Sequence, residues 1–114
     1  MNAIEYIKEH HSKDSIITKD IVLAKFCALE NNYKHSFEIP CNLLNIVYSG
    51  TKILHTVDGD IEVQAGEALF LTKSEYVMSE VVRESEYKCL LIFFDHHLMR
   101  KLISELPFKL NTNK

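Results

Sequence analysis

The sequence is poor in the two residues that most often interrupt regular structure. Only three glycines and two prolines occur among its 114 residues, which argues against an irregular fold dominated by loops. Hydrophobic residues make up 46% of the chain and charged residues 25%. This is enough apolar material for one hydrophobic core, and it is not the composition of a disordered chain. We therefore expect one folded domain.

Positive charge is also scarce. The 13 Lys and Arg residues are scattered and are outnumbered by 16 Asp and Glu residues, which gives a net charge of −3. A domain that binds nucleic acid on its own normally carries a basic face, because contacts with the phosphate backbone dominate its affinity. The charge balance therefore argues against direct DNA binding by these residues.

Cysteine spacing and the length of the apolar runs bear on the compartment. Cys27, Cys41 and Cys89 are an odd number at wide spacings, which is not a disulfide framework. We expect inert thiols, with Cys41 the most exposed. The N-terminal MNAIEYIKEHH lacks the apolar core of a signal peptide. The longest apolar run, CLLIFF at 89–94, is far shorter than the ~20 residues of a membrane span. These features predict a cytoplasmic protein without a membrane segment.

Short apolar runs separated by turn-like residues predict many β-strands. The clearest signal is Asp58-Gly59, because a tight hairpin turn needs the positive φ angles that this pair tolerates. Such spacing is typical of a mainly β fold, a sandwich or barrel of antiparallel strands. The runs of strand length lie at 21–29, 35–39, 43–48, 51–57, 61–64, 68–72, 76–82 and 87–94.

The two ends of the chain have a different pattern. Residues 1–20 predict an N-terminal arm or short helix that precedes a barrel at 21–94. Asp95 is a good N-cap, and an amphipathic helix is predicted over 95–106. Residues 107–114 would then be a linker or an artificial end of the chain. The apolar stripe of the helix consists of Leu98, Met99, Leu102, Ile103 and Leu106.

The predicted hairpin around Asp58-Gly59 also assigns faces. If these two residues form the turn, His55 lies opposite Glu62, and the two side chains form a surface ion pair. Side chains alternate along a strand, and a register error of one residue would exchange the faces. The face that we assign to the barrel interior carries Leu54, Thr56, Ile61 and Val63.

The segment GTKILHTVDGDIEVQAGEALFLTKSEYVMSE at 50–80 resembles the sensor domain of AraC-type bacterial transcription regulators. The shared pattern is a strand, a glycine, a strand, a tight turn, a short strand and then AGEALFL. The later run KCLLIFFDHHLMRKLI resembles the last barrel strand of that family leading into its first helix. The resemblance covers about residues 20–106. It is closest in character to regulators of virulence genes, pili and type III secretion.

The resemblance implies a cupin-like jelly-roll barrel of short antiparallel strands followed by an amphipathic helix. Such a domain senses a small apolar ligand, such as a fatty acid, or a regulatory protein, and it often forms a homodimer. DNA would be contacted only by helix-turn-helix units of a C-terminal domain that these residues do not include. We interpret the chain as this regulatory domain and not as an enzyme. Two alternatives stay open: a small stand-alone cupin enzyme (an isomerase or dioxygenase) and a stand-alone cupin-like interaction domain.

The candidate site residues follow from the predicted interior and from the resemblance. Lys52 and Lys73 are candidates by location for holding a ligand carboxylate. The candidate dimer interface is the second row of the C-terminal helix, formed by Met99, Ile103 and Leu106, since neighbouring residues diverge by ~100° around a helix. The wall of the candidate ligand pocket consists of Phe26, Tyr48, Leu54, Thr56, Ile61, Val63 and Phe70.

The sequence predicts no metal, no cofactor and no catalytic residues. Metal-dependent cupins need a His-x-His pair after a glycine, but Gly50 is followed by His55 alone, with Val57 at the second position. Their second motif needs a His and an Asn where this chain has Val77 and Val81. A transition metal needs three or four such side chains. There is also no nucleophile elbow, phosphate loop or dinucleotide fingerprint.

Overall fold

The computed structural model describes residues 1–105, and strands predominate in this part of the chain. The predicted strands are all present, and a short strand, β1, was not predicted because its length gives little sequence signal. A 3₁₀ turn at Ser12–Asp14 precedes β1. The elements are α1 (Ala3–His10), β1 (Ser15–Ile17), β2 (Ile21–Ala28), β3 (Asn32–Ile39), β4 (Asn42–Ser49), β5 (Thr51–Thr56), β6 (Gly59–Gln64), β7 (Ala68–Leu71), β8 (Ser74–Val81), β9 (Tyr87–Phe94) and α2 (His96–Ser104).

The strands form two sheets that pack face to face. The five-stranded sheet has the order β1-β2-β9-β4-β7, and the four-stranded sheet has the order β3-β8-β5-β6. Each pair is antiparallel, and several neighbours, such as β2 and β9, are far apart in the sequence. This arrangement confirms the expected mainly β, jelly-roll fold with a short C-terminal helix.

The core lies between the two sheets, and strand alternation decides which residues enter it. In β4, Leu43, Asn45 and Val47 are buried while Tyr48 is exposed. Strand β2 begins in the same way, with Val22 and Ala24 buried and Lys25 exposed. The buried hydrophobic residues are Ala3, Ile7, Val22, Ala24, Ile39, Leu43, Val47, Leu54, Val63, Leu71, Met78, Tyr87, Cys89 and Phe93.

The N-terminal segment forms a helix that packs against the barrel. The Asn2 side chain caps α1 by accepting hydrogen bonds from the Ile4 and Glu5 backbone amides at 2.9 and 3.2 Å. Ala3 and Ile7 of α1 belong to the hydrophobic core. The amide of Glu38 on β3 donates to the carbonyl of Met1 at 2.7 Å. The start of the chain is therefore part of the barrel's packing.

The β5–β6 hairpin has a different register from the predicted one. Thr56 pairs with Gly59, so Val57 and Asp58 form the turn instead of Asp58 and Gly59. The Thr56 hydroxyl donates to the Gly59 carbonyl at 2.6 Å and accepts from the Asp58 amide at 3.2 Å. These bonds stabilise the turn one residue earlier, and Gly59 supplies the positive φ of +123°.

The new register changes one predicted contact. His55 pairs with Asp60, and its Nδ1 atom lies 2.8 Å from Asp60 Oδ1, so the predicted ion pair with Glu62 is wrong. Because the pairing moves by an even number of residues, Leu54 and Ile61 still share one face of the hairpin.

Gly50, between β4 and β5, lies where the backbone packs closely against the end of β8. Its φ is +83°, and a Cβ atom there would lie 2.6 Å from the Val81 carbonyl oxygen. Gly66 has a similar φ of +89°, but a Cβ atom there would have no heavy atom within 4 Å.

We expect Gly50→Ala to lower the free energy of unfolding by about 3 kcal/mol or more, and Gly66→Ala by about 1–2 kcal/mol. Urea denaturation followed by circular dichroism measures both, and equal losses would contradict the clash.

Candidate functional site

The inner face of the four-stranded sheet carries a buried cluster of charged side chains. Glu80 on β8 is 1% exposed. Lys52 on β5 donates from Nζ to Glu80 Oε2 at 2.8 Å. His35 on β3 places Nε2 at 2.7 and 2.9 Å from the two carboxylate oxygens. We call Lys52, Glu80 and His35 the buried charge cluster.

Strand register and a bulge bring the buried charge cluster together. Lys52 and Glu80 are direct partners in the β5–β8 ladder. The β3–β8 ladder is interrupted between Asn32 and His35, where Lys34 has a φ of +49° and its amide donates to Ser79 Oγ at 2.8 Å. A bulge of this kind redirects the side chain that follows it, and here it aims His35 at Glu80.

The electrostatics of the cluster favour an ionised Glu80. Burial by itself raises the pKa of this carboxyl, but the hydrogen bonds and charges of His35 and Lys52 outweigh burial and hold its pKa below the ordinary value. A buried carboxylate is tolerated only when it is paired and hydrogen-bonded. The Lys52 ammonium is therefore already paired with Glu80.

A small cavity lies beside the buried charge cluster. Its volume is about 50 Å³, and its lining includes Tyr6 and Ile7 of α1 together with Phe26, Phe37 and Met78 of the barrel. One water molecule takes up ~30 Å³, whereas pockets for organic ligands usually measure ~300–1,000 Å³. This cavity thus has room for only a few atoms.

The predicted pocket residues separate into two groups, of which the first lies inside the barrel. Phe26 and Lys52 line the cavity, and Leu54 and Val63 are buried. Among these, only Lys52 carries a charge, and Glu80 neutralises it at 2.8 Å.

The prediction that Tyr48 and Phe70 line the interior is wrong. They are 60% and 48% exposed, because the buried neighbours Val47 and Leu71 take the inward positions of β4 and β7. Phe70 stacks on Phe94 with ring centroids 6.2 Å apart, on the outer side of the sheet.

Three further predicted pocket residues lie at the surface. Thr56 is exposed at the turn, and Lys73 is exposed in the connection between β7 and β8. Ile61 shares the face of Leu54 but lies on β6, the edge strand of the four-stranded sheet, and is 48% exposed. Lys73 is therefore not close to the interior cavity, whose lining does not include it.

The outer side of the five-stranded sheet is apolar. The ladders align Leu23, Ile92, Leu44 and Phe70 in one row across β2, β9, β4 and β7, and Ile16 extends the row on β1. Ile16 is 61% exposed. We call this surface the outer apolar face, and its members are Ile16, Ile21, Leu23, Leu44, Ile46, Tyr48, Phe70, Leu90, Ile92 and Phe94.

Helix α2 begins as predicted, since Asp95 Oδ1 accepts a hydrogen bond from the Leu98 amide at 2.7 Å. Met99 is half-buried. The side chain of Ile103 and the whole of Leu106 lie outside the described residues. The predicted dimer interface on this helix therefore stays a prediction.

Cysteine exposure differs from the expectation. Cys27 is exposed, Cys41 is half-buried and Cys89 is buried, because Cys27 takes an outward position on β2. Burial raises the pKa of each of these thiols above its ordinary value, and for Cys27 a contact with the Glu86 carboxylate at 3.5 Å adds to this. A raised pKa opposes thiolate reactivity.

The buried charge cluster is a poor fit for a metal ion. In residues 1–105 no three His, Cys, Asp or Glu side chains come together as possible ligands. His35 and Glu80 are ligand types, but the Lys52 ammonium on the same carboxylate would repel a metal cation. The inward positions of β5 hold Lys52 and Leu54, while Val77 is 38% exposed and faces outward.

No helix within residues 1–105 is both long enough and apolar enough to cross a membrane.

A sequence model of the family described as the ExsA N-terminal regulatory domain matches residues 42–114. This match spans more than half of the chain. The chain belongs to the ExsA N-terminal regulatory domain family. Lys52 and Glu80 of the buried charge cluster, and the part of the outer apolar face on β4, β7 and β9, lie within the matched residues. No curated protein sequence matches the chain.

Solved cupin structures share the fold of this ExsA-family domain. A cupin superfamily protein from Desulfitobacterium hafniense is 12% identical, with a TM-score of 0.59 over 70% of this chain and 72% of that one. A cupin domain from Bordetella pertussis is 10% identical, with a TM-score of 0.56 over 70% and 86%. A cupin-2 domain containing protein from Shewanella frigidimarina is 17% identical, with a TM-score of 0.55 over 82% and 93%. At such identities the likeness concerns the fold alone.

Part of the cluster could be found in the sequence of this ExsA-family domain, and part could not. Lys52 was a candidate by its location, but His35 and Glu80 were missed. Glu80 is a charged residue within the apolar run 76–82, at the spacing of inward-facing Met78, and this is a readable signal. The inward direction of His35 depends on the bulge in β3, which the sequence pattern does not reveal.

Removing the cation of the cluster should destabilise the fold strongly. Lys52→Met leaves the buried Glu80 carboxylate with His35 alone, and we expect the free energy of unfolding to fall by about 3 kcal/mol or more. Lys73→Met, at an exposed position, should change it by less than about 0.5 kcal/mol. The double variant Lys52→Met/Glu80→Met should recover most of the loss, since it removes both charges. Urea denaturation measures all three, and a loss in the double variant as large as in Lys52→Met would contradict the pairing.

The low pKa of Glu80 makes stability depend on pH in a defined direction. The folded pKa lies below the ordinary value of 4.5, so unfolding takes up a proton at acidic pH. The contribution of Glu80 is fully present above about 4.5 and is lost as the pH falls through the folded value. Glu80→Gln should be less stable near neutral pH and should show a shallower fall between pH 5 and pH 3. Thermal unfolding across this range tests it, and parallel pH profiles would show that another group is responsible.

Proposed function

We propose that this chain is the regulatory domain of an AraC-type transcription regulator and that it receives its signal by protein contact. The sequence pattern at 50–80 and the family match support the regulator assignment. The observation that carries the choice of signal is the small interior cavity of about 50 Å³ beside a lysine already paired with a glutamate. The domain acts without catalysis, as a cytoplasmic regulator.

A fatty acid fits this interior poorly for two physical reasons. Its chain needs a volume of several hundred Å³, on the scale of ordinary ligand pockets (~300–1,000 Å³). Its carboxylate would have to compete for Lys52 with Glu80, which already accepts a hydrogen bond from this buried ammonium at 2.8 Å, and a buried carboxylate without a partner is costly. Protein contact places no such demand on the interior.

DNA contact would come from a separate helix-turn-helix domain. The net charge of −3 gives this domain little attraction for a phosphate backbone. Its role in the proposal is to change the output of the DNA-binding domain to which it is joined.

A fusion experiment tests the regulatory role. The 114-residue chain is joined to the helix-turn-helix domain of an AraC-type regulator, and transcription from a matching promoter reporter is compared with that of the DNA-binding domain alone. We expect the fusion to change reporter output by several-fold. A variant with a repacked interior, Met78→Leu, is the control and should keep the effect. Equal output with and without the chain would overturn the regulator assignment.

We also propose homodimerisation through α2, with Met99, Ile103 and Leu106 as the contact row. An apolar stripe on a surface helix needs a partner, and the row diverges from Leu98 by about 100°. Met99→Glu should shift sedimentation toward monomer and leave the thermal transition largely unchanged. His97→Glu, at an exposed position of the same helix, is the matched control. A variant Met99→Glu that unfolds while the wild-type chain sediments as a monomer would contradict the dimer contact.

A further inference from the structure

The middle of the outer apolar face has the dimensions of an α-helix. The outward residues of β9, from Lys88 to Phe94, span about 20 Å along the strand, the length of a helix of about 13 residues. Strands β2 and β4 flank β9 on either side, and their outer spacing of about 10 Å matches the width of a helix. The apolar floor and walls consist of Leu23, Leu44, Ile46, Leu90 and Ile92. We call this surface the β9 strip.

The lysine-bearing end of the β9 strip is concave. An open groove of about 710 Å³ has Lys25, Tyr48, Lys88 and Leu90 in its wall. A second groove of about 240 Å³ shares Lys25 and Leu90 and continues to Ile16 on β1. A side chain carried by a partner can therefore enter the surface at this end, as in other helix-in-groove complexes.

The charge at this end is opposite to that of the chain as a whole. Lys25 and Lys13 have no carboxylate within ion-pair distance among residues 1–105, while Lys88 pairs with Glu86 at 3.3 Å. Asp14 also borders the grooves. An otherwise acidic domain thus presents free ammonium groups beside exposed apolar side chains, which is complementary to carboxylates on an apolar partner surface.

We propose that the β9 strip is the docking site for an amphipathic α-helix of a partner protein, with its apolar stripe on the strip and carboxylates in its last turn against Lys25. This placement also sets the negative end of the helix dipole beside the lysines. The proposal rests on the protein-contact function above and names the surface and the chemistry of the partner.

A second copy of this chain is the weaker occupant. Its helix α2 carries Arg100 and Lys101 and no acidic residue between His96 and Ser104. Laid on the β9 strip, α2 would bring like charges toward Lys25, which costs binding energy. A helix with acidic residues at the same position is instead attracted to Lys25.

The test uses two synthetic helical peptides and the ¹⁵N-labelled 114-residue chain. Both peptides are about 14 residues long with leucines at i, i+3, i+4 and i+7. One ends in glutamates and the other in lysines. We expect the glutamate peptide to shift the amide signals of β2, β4 and β9, with a dissociation constant at least tenfold lower than that of the lysine peptide. The difference should shrink at high salt.

Two variants with matched controls make the test specific. Ile92→Gln, in the centre of the strip, should weaken binding of the glutamate peptide at least tenfold. Val77→Gln, at a position 38% exposed on the outer side of the other sheet, should leave this binding unchanged. Lys25→Glu should reverse the preference between the peptides, and Lys73→Glu should not. Thermal unfolding of each variant confirms that it is folded.

Several results would overturn the docking site. These are equal binding of both peptides, binding that ignores Ile92→Gln and Lys25→Glu, and a concentration-dependent dimer that protects β9 from the glutamate peptide. The reporter fusion is independent of these measurements. If the fusion changes reporter output but the chain binds neither peptide, the docking site alone is refuted. If the fusion leaves reporter output unchanged but the chain binds the glutamate peptide, the regulatory role is refuted.

Discussion

The contact between the Lys52 ammonium and the Glu80 carboxylate constrains the whole interior of the barrel. Both side chains are buried, 2.8 Å apart, and His35 Nε2 lies 2.7 Å from the same carboxylate. Together they tie β3, β5 and β8 into one electrostatic unit. Such a pair contributes little net stability compared with apolar residues of the same size, yet breaking it on one side is costly. Its main consequence is therefore the shape and charge of the interior.

That consequence extends to function. With its only cavity-lining lysine occupied and about 50 Å³ of free volume, the barrel interior behaves as a core. Helix α1 adds Ala3 and Ile7 to the same core, so the N-terminal segment supports the packing. If the signal is received by protein contact, as proposed, the surfaces available to a partner are on the outside, and the outer apolar face is one of them. Exposed apolar patches flanked by charges are typical of protein interaction sites.

The strands were predictable from the sequence because each apolar run has strand length and ends at turn residues. The sequence predicts the turn at Asp58-Gly59, one residue later than its position at Val57-Asp58. The Thr56 hydroxyl bonds to the backbone on both sides of the turn, and these bonds override the Asp-Gly signal. Tyr48 and Phe70 were placed inside for a related reason. Runs such as LLNIVY and CLLIFF are apolar at inward and outward positions alike, so alternation cannot assign their faces. A strand that is apolar on both faces is usually covered on both faces, and this is the sequence signature of the outer apolar face.

Whether the barrel interior is filled by its own side chains and ion pair can be measured through the ε-methyl group of Met78. This residue is 3% exposed and lines the cavity, so its methyl resonance reports on anything that enters. The measurement is a ¹³C-methyl NMR titration of the chain with a sixteen-carbon fatty acid below its micelle concentration. We expect an unchanged Met78 signal through a molar excess of fatty acid, because the interior is filled by its own side chains. A saturable shift at one equivalent would contradict it, because the fatty acid would then have displaced the contacts that fill the barrel.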